Sequence, residues 1–516
     1  MRFANDLARI GFVCGMGLVM VPVQARAQPR PAGVPVRTPS APAAAPQVSA
    51  PSGDSSHPPS LDDTTPLPVP LELMHATPGG LTAEQVAARS ADTSFSVKAS
   101  LENLRGAAAR VDEAWASFLP RLSGVARYTR LSEFTPPSLG TLVVDTAQPG
   151  QPITLDKLMG YPFSFPIVLN QWLLQGTINV PISDYFLRID QNYSAATHSQ
   201  DAARWDLAGV RATAGANGKV AYYTWLRARG AHAVAVQSLN DQRTHLRDAR
   251  NQFAAGNASK ADVLRAETAV SSAGLALERA KNLADLTEKQ LRVAIHVDDG
   301  VSVAPAEDLE TPLTPWQGDL RQLTDEALAA RSEIKSADLN AVAARKQAAA
   351  AKAGRYPSVG AFGDAILGNP NSRMFPQTQD WFPSWDLGAQ VTWSPNDLLT
   401  TGGAVADAES RAAAIEANKN QVRDGIEVEV TQAWQAMKES DFAIESSLRE
   451  LASSEEAYRV QRELFNNGRG TSSTLTDAET ELTRARLDLL NSRADARVAR
   501  TKLDHALGRD LQMPSP

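Results

Sequence analysis

The feature of this sequence that most constrains its fold is an internal repeat. The stretch FAAGNASKADVLRAET at residues 253–268 shares its Phe, its Gly and its closing Ala-Glu-Thr with FNNGRGTSSTLTDAET at residues 465–480, at an offset of 212 positions (253 to 465). Downstream of both stretches, small and apolar residues recur at alternating steps of three and four, from Val263 to Ala294 and from Leu475 to Ala506. The sequence therefore predicts two similar structural units, each with a turn followed by a helix.

The helices on either side of these turns are predicted to be long. Residues 184–252 and 402–466 contain no Pro. The first stretch is polar with recurring Ala, Val and Leu, and the second carries apolar residues at heptad-compatible steps. A helix of roughly 65 residues is about 95 Å long, whereas globular helices average about 11–12 residues. A 3.5-residue period keeps one seam against a neighbouring helix when the helices supercoil. A third helix opens each half, and Thr82 with Gln85 predicts a capping box at the first of them.

The apolar period changes to two residues in the middle of each half. QWLLQGTINVPI at residues 171–182 and SWDLGAQVTWS at residues 384–394 alternate apolar and polar residues, as half-buried strands do. A partner run precedes each one, at residues 119–131 and 356–367, and Pro120 and Pro357 stand where helix gives way to strand. Each half thus reads helix, strand, loop, strand, long helix, tight turn, helix, with the loops near residues 132–170 and 368–384.

Four strands are too few to close a barrel, since small closed barrels need about eight. Tyr128, Trp172, Trp385 and Trp393 stand near the ends of the strands on their apolar faces, which suits the aromatic girdles of a membrane barrel. The alternative is one face of a soluble sandwich with a few buried aromatic residues.

The N-terminus favours the membrane interpretation. Residues 1–27 contain Arg2 and Arg9, an apolar run from Ile10 to Val23 and a small-x-small site ending at Ala27, which is typical of a cleaved signal peptide. Cys14 is the only cysteine, so we expect an exported, non-lipidated mature chain without disulfides. Residues 28–80 are rich in Pro, Ala and Ser and predict a disordered tether. No later run of about 18 apolar residues predicts a transmembrane helix.

The sequence gives little support for catalysis or nucleic-acid binding. Its histidines are dispersed, no metal-binding cluster or phosphate loop is recognisable, and we expect neither a cofactor nor a metal. The net charge of −7 comes without a basic patch, so no nucleic-acid partner is expected. We therefore predict that the chain is not an enzyme.

The ordered pattern of helices, strand pairs and Gly-bearing turns, in two copies behind a signal peptide, resembles the TolC-type outer-membrane efflux and secretion proteins. The resemblance implies an α+β membrane protein: a homotrimer in which four antiparallel strands per chain form one twelve-stranded β-barrel, continued by a long α-helical coiled-coil tunnel in the periplasm. The first repeat would span residues 81–296 and the second residues 319–510. An inter-repeat segment (297–318) would lie between them, and a short tail (511–516) would follow.

In this family the two turns are the periplasmic tips, where the tunnel narrows and meets an adaptor protein. Carried over to this sequence, the tip and adaptor-contact residues are Phe253, Gly256, Asn257, Asp262, Phe465, Gly468 and Arg469. The acidic positions of the closed entrance fall at Thr474 and Asp477, and the family's closing Arg falls at Gly470, beside Arg469. The alternative for Asp262 and Asp477 is that they only stabilise the first turn of their helices.

Two functional classes follow. The first is a passive outer-membrane conduit, in contact with lipid, which receives substrates from a periplasmic adaptor and an inner-membrane RND or ABC pump and governs passage by pore width and charge. Drug efflux, metal efflux and type I protein secretion use the same outer component. The second class is an exported periplasmic coiled-coil protein that binds or scaffolds without inserting. The strand alternation favours the conduit.

Overall fold

The computed structural model describes residues 76–133, 140–146, 149–152, 154–162, 168–298, 303–314, 316, 318–375 and 377–510. The predicted signal peptide, the predicted tether up to residue 75 and the tail at 511–516 lie outside these residues. Among the described helices, none combines the length and the apolar character needed to cross a membrane.

The order of elements confirms the predicted repeat of helices and strands. The first repeat contains α1 (Ala83–Thr93), α2 (Phe95–Ala116), β1 (Arg121–Arg130), β2 (Thr141–Asp145), β3 (Leu158–Pro162), β4 (Asn170–Val180), the short α3 (Ile182–Asp184), α4 (Asp190–Ala254) and α5 (Lys260–Ala294). The second contains α6 (Leu320–Ala330), α7 (Ser332–Lys352), β5 (Ser358–Asn369), β6 (Phe382–Thr392), α8 (Asp397–Asn466) and α9 (Ser472–Ala506). The long helices α4 and α8 contain 65 and 70 residues.

The helix that opens each repeat is broken, which the sequence pattern did not predict. Ser94 separates α1 from α2 with φ −56° and ψ 135°, and Arg331 separates α6 from α7 with φ −58° and ψ 134°. Neither break carries Gly or Pro, so the usual sequence signals are missing. Side chains hold both breaks: the Ser94 hydroxyl accepts from the Ser96 N–H, and the Arg331 guanidinium pairs with Glu333 and Glu429.

The predicted loop at residues 132–170 contains a hairpin that the sequence analysis missed. Strands β2 and β3 pair antiparallel, with Leu142 opposite Tyr161 and Val144 opposite Met159. Each strand has only five residues, too few for a period of two to stand out from a Pro- and Gly-rich neighbourhood.

The four predicted strands form one antiparallel sheet in the order β1-β4-β5-β6. Its register places side chains in rows across the sheet, with apolar rows on one face and more polar rows on the other. One apolar row runs Leu122, Ile178, Gly363, Leu387, and a polar row runs Ser123, Thr177, Asp364, Asp386. The apolar face is exposed: Leu122 is 82% and Leu387 76% accessible in the single chain.

The helices pack along the seams that the 3.5-residue period predicts. The buried seam residues of α5 are Val263, Ala266, Val270, Leu277, Ala284, Thr287 and Leu291. Those of α9 include Leu475, Leu482, Ala485, Leu489, Ala496, Ala499, Leu503 and Ala506. The small Ala side chains let helices approach closely, and larger residues fill the middle of the unit, where Tyr222 and Trp225 are fully buried.

A strap between the repeats, residues 303–311, crosses this middle region. The Leu81 N–H donates to the carbonyl of Ala304 (2.8 Å), and the Thr77 N–H donates to the carbonyl of Pro305 (2.7 Å). A Cβ on Gly80 would lie 2.6 Å from the Ala304 oxygen, so only Gly fits this close approach. The predicted tether therefore ends earlier than residue 80, because Thr77 to Gly80 already belong to the folded part.

Both ends of the strap are held by side chains. The Arg497 guanidinium, on α9, donates to the carbonyls of Asp308 (2.8 Å), Leu309 (3.1 Å) and Thr311 (2.8 Å). The Glu307 carboxylate accepts the Ala83 N–H (2.6 Å) at the start of α1. The predicted capping box of Thr82 and Gln85 is confirmed at the same helix start.

Candidate channel entrance and membrane-facing sheet

The two tips are tight turns that use Gly in the left-handed region. Gly256 has φ 82° and Gly468 has φ 71°. In each turn the Gly N–H donates to a Phe carbonyl three residues back (3.0 Å), and the next N–H donates five residues back, from Asn257 to Gln252 (2.9 Å) and from Arg469 to Leu464 (2.8 Å). These paired bonds satisfy the last carbonyls of α4 and α8, as Gly-ended helices require.

The second tip has no room for a side chain at Gly470. A Cβ there would lie 2.9 Å from the backbone nitrogen of Phe465 and 3.1 Å from the carbonyl carbon of Leu464. The resemblance places the family's closing Arg at this position. In this chain the close backbone packing excludes it, and the neighbouring Arg469 is exposed.

The helix starts after the turns use different caps. Asp262 accepts from the Ser259 N–H (3.0 Å) and the Ser259 hydroxyl (2.7 Å), and these bonds lower the pKa of its carboxyl group. The equivalent cap of α9 is neutral: the Thr471 hydroxyl accepts the Thr474 N–H (3.2 Å). Asp262 is thus engaged in a capping box, as its helix-start interpretation expects.

The predicted constriction residues Thr474 and Asp477 lie one turn apart near the start of α9, and both are exposed. The Thr474 hydroxyl donates back to the carbonyl of Thr471 (2.9 Å). Because residues three apart share a helix face, the Asp477 carboxylate and the Thr474 side chain are presented on one side of the tip.

The equivalent residues Phe253 and Phe465 do not have equivalent environments. Phe253 is 44% exposed, whereas Phe465 is 5% exposed and packs edge-to-face against His245 at 5.3 Å. In the single chain the Phe465 ring is part of the core, whereas the Phe253 ring is accessible at the surface of the tip.

A buried polar cluster behind the second tip was missed by the sequence analysis. Nδ1 of His245 lies 3.1 Å from Oε2 of Glu479, and Nε2 lies 3.2 Å from the Ser472 hydroxyl. Burial raises the pKa of the Glu479 carboxyl group. The sequence signal for this cluster was the presence of polar residues on otherwise apolar helix seams. His245 and Glu479 are 234 residues apart, so their proximity depends on how the helices pack.

The order Ser, His, acid is that of a hydrolytic triad. Ser472 is 2% exposed, so a substrate carbonyl cannot reach its hydroxyl. The cluster instead links the end of α4 to the start of α9. Its buried polar groups form hydrogen bonds with one another, which stabilises this contact.

The predicted membrane-interface aromatics are exposed on the apolar face of the sheet or just beyond it. The Tyr128 and Trp172 rings pair across β1 and β4 with centroids 4.5 Å apart. Trp385 is 76% and Trp393 55% exposed. They are eight residues apart in sequence, which corresponds to about 27 Å along an extended strand and is comparable with the ≈25 Å height of the apolar band of membrane barrels.

The opposite face of the sheet is polar at its centre. Asp364 and Asp386 are direct cross-strand partners. Gln175 donates to Asp364 (2.8 Å), the Thr177 hydroxyl donates to the same carboxylate, and Arg373 pairs with Asp386. The like charges are therefore compensated by donors within the sheet and its connecting loop.

The sequence matches the family described as outer membrane efflux protein over residues 87–295 and 323–509. No curated protein sequence matches the chain.

Solved structures are similar over most of the chain. The outer-membrane channel OprN superposes with a TM-score of 0.68 at 18% identity, covering 83% of this chain and 89% of that one. VceC of Vibrio cholerae gives 0.65 at 16%, covering 83% and 96%, and the open-state MtrE channel of Neisseria gonorrhoeae gives 0.65 at 17%, covering 84% and 90%. At these identities the likeness establishes the fold.

The family match includes both repeats and covers well over half of the sequence. It agrees with the repeated helices, the four-stranded sheet and the paired tips described above. The chain belongs to the outer membrane efflux protein family.

Proposed function

We propose that three copies of this chain form an outer-membrane channel, in which each copy supplies β1, β4, β5 and β6 to a twelve-stranded barrel. The observation that carries this proposal is the sheet. Within the described residues β1 and β6 are edge strands, and the sheet has a broad exposed apolar face. Joining β6 of one copy to β1 of the next removes the open edges and turns the apolar face toward lipid.

The helices would also pack against neighbouring copies of the chain. Large apolar side chains remain exposed on α5 and α8 of the single chain, including Leu275 (53%), Leu286 (54%) and Phe442 (67%). Neighbouring copies would cover such residues and complete a periplasmic tunnel, since helices with exposed apolar seams are stabilised by a helix on the other side.

The channel would serve as the outer component of a tripartite efflux system or a type I secretion system. Its tips would meet a periplasmic adaptor, which connects to an inner-membrane RND or ABC pump. Conduction would be passive, because the entrance and the polar face of the sheet offer charge and shape rather than reactive groups.

The alternative function is that of an exported periplasmic coiled-coil protein that never inserts. It would leave Leu122, Trp385 and Leu387 facing water in one contiguous surface, and soluble monomers rarely expose such patches. The exposed sheet face therefore favours the channel.

Fractionation tests the proposal directly. We expect the mature protein in the outer-membrane fraction, as a species that migrates as a trimer in detergent without heating and as a monomer after boiling. In planar bilayers the trimer should conduct ions. Recovery of a folded, water-soluble periplasmic monomer would exclude the channel and favour the alternative.

A further inference from the structure

A cavity of about 340 Å³ lies beneath the strap, between α4, α8 and α9. Its apolar lining includes Leu226, Val234, Leu309, Leu451, Leu489 and Leu490. The nearest charged atoms of Arg493 and Glu310 are 3.7 Å apart at its polar side. The other charged lining residues are Glu307, Asp308, Glu455 and Arg486. This volume is in the range of cavities that hold ligands, roughly 300–1,000 Å³. Apolar space of this size next to a charged pair suits an occupant with aliphatic side chains and some polar groups.

The chain itself supplies a segment of that character at the right place. Pro305 lines the cavity and accepts the hydrogen bond from Thr77. The residues immediately before are LPVPLELMH, residues 67–75, with three Leu, one Val and one Met. In contrast, residues 28–66 contain a single Leu, Leu61, among many Pro, Ala and Ser. The apolar residues of the predicted tether are thus concentrated beside the cavity.

We propose that residues 67–75 dock at the cavity beneath the strap of the same chain and insert some of their apolar side chains into it, so that the tether ends in a docked apolar segment. A segment of nine residues reaches at most about 30 Å from its fixed end, and the fixed end is already at the cavity wall. The Pro residues limit its freedom before binding, which reduces the entropy lost on docking.

This docking would fix the point from which the tether leaves the folded unit. Residues 28–66 would then extend from the strap rather than from residue 76. The docked segment would also cover the apolar side chains that line the cavity. The inference does not depend on trimer formation or on transport.

Cysteine cross-linking in the full-length protein tests the proposal. The only natural cysteine is Cys14, so in a Cys14→Ser background the two engineered residues are the only thiols of the chain. We expect Leu73→Cys with Leu489→Cys to form an intrachain disulfide under mild oxidation. The matched control is Leu73→Cys with Leu275→Cys, which places the second thiol at an exposed position of α5 outside the cavity.

The products are easily distinguished. No Lys or Arg lies between Arg37 and Arg89, so trypsin releases residues 38–89 as one peptide, joined in the expected product to residues 487–493. An intrachain link migrates as a monomer in denaturing gels and supports the proposal. Links that form between chains, or links no more frequent than in the control pair, would overturn it.

A second experiment does not require engineered thiols. Docking should protect residues 67–74 from chymotrypsin. Val69→Ser with Met74→Ser keeps the cleavage sites at Leu71 and Leu73, and it should raise the cleavage rate about tenfold by removing apolar contacts. Val234→Phe, which fills the cavity from α4, should expose the same site while the helices stay folded by circular dichroism. Equal cleavage rates in the natural chain and both variants would contradict docking.

Discussion

Nδ1 of His245 lies 3.1 Å from Oε2 of Glu479, and only 1% and 3% of the two side chains are exposed. Together with the Ser472 hydroxyl, they form a polar contact between α4 and α9 directly behind the second tip. A buried group that loses its partner has no water to replace it, so this contact should be a sensitive point of the entrance.

We predict that His245→Leu lowers the free energy of unfolding by about 2–5 kcal/mol, because it leaves both Glu479 and Ser472 buried without the imidazole. His232→Leu, at a half-buried position on the same helix, is the control and should cost less. The double variant His245→Leu with Glu479→Leu should recover part of the loss, since it removes the stranded carboxyl group. Thermal unfolding followed by circular dichroism measures all three. A double variant less stable than His245→Leu would show that the two residues are not coupled in this way.

The raised pKa of the Glu479 carboxyl group predicts how the stability of the fold changes with pH. Its pKa is higher in the folded state because of burial, so the proton binds the folded state more strongly than the unfolded state. The stability that Glu479 contributes is present below the ordinary Glu pKa and is lost as the pH rises through the raised value. We expect Glu479→Gln to remove this part of the fall in melting temperature with rising pH. Glu481→Gln, at an exposed position on α9, should leave it unchanged.

The glycines of the second tip should respond differently to a methyl group. Gly468→Ala forces a non-Gly residue to φ 71° without a steric clash and should cost about 1 kcal/mol. Gly470→Ala should cost more, since its Cβ meets the Phe465 backbone. Gly425→Ala, at an open position inside α8, should stabilise by about 0.5–1 kcal/mol. Denaturant unfolding ranks the three, and the reverse order for the two tip variants would contradict the steric argument.

Asp477 provides the test of the proposed entrance. Three copies of this exposed carboxylate around a narrow axis would repel one another and attract cations. We expect Asp477→Asn to lower cation selectivity in planar-bilayer conductance without changing trimer formation, and Thr474→Asp to raise it. Asp262→Asn is the control, because its carboxylate is engaged with Ser259. Unchanged selectivity in Asp477→Asn would mean that this residue only begins a helix.

The two faces of β6 should tolerate charge differently. Leu387→Arg places a cation on the exposed apolar face, where lipid contact near the bilayer midplane would cost about 2–4 kcal/mol. Gln390→Arg, on the polar face of the same strand, should be tolerated. Heat-modifiable migration compares assembly of the two variants. Equal assembly would argue against lipid on the apolar face.

The periodicity of the sequence was sufficient to predict the long helices, the four strands of the large sheet and both Gly turns, because each depends on local spacing. The breaks at Ser94 and Arg331 could not be predicted from it. They are stabilised by side chains such as Glu429, which is 98 residues from Arg331. The unequal burial of Phe253 and Phe465 has the same cause. A repeat predicts equivalent backbones, but the neighbours of each copy are set by packing between distant helices.

The strap has a consequence for the order in which the parts of the chain can fold. It pairs with Leu81 near the start of the folded part, and it is held by Arg497 from the last helix, 189 residues beyond Asp308. The packing around the strap is therefore complete only when α9, near the end of the sequence, has taken its place. Contacts of such long separation form late and slowly. The strap thus makes the start of the first repeat depend on α9, so the two repeats complete their packing together.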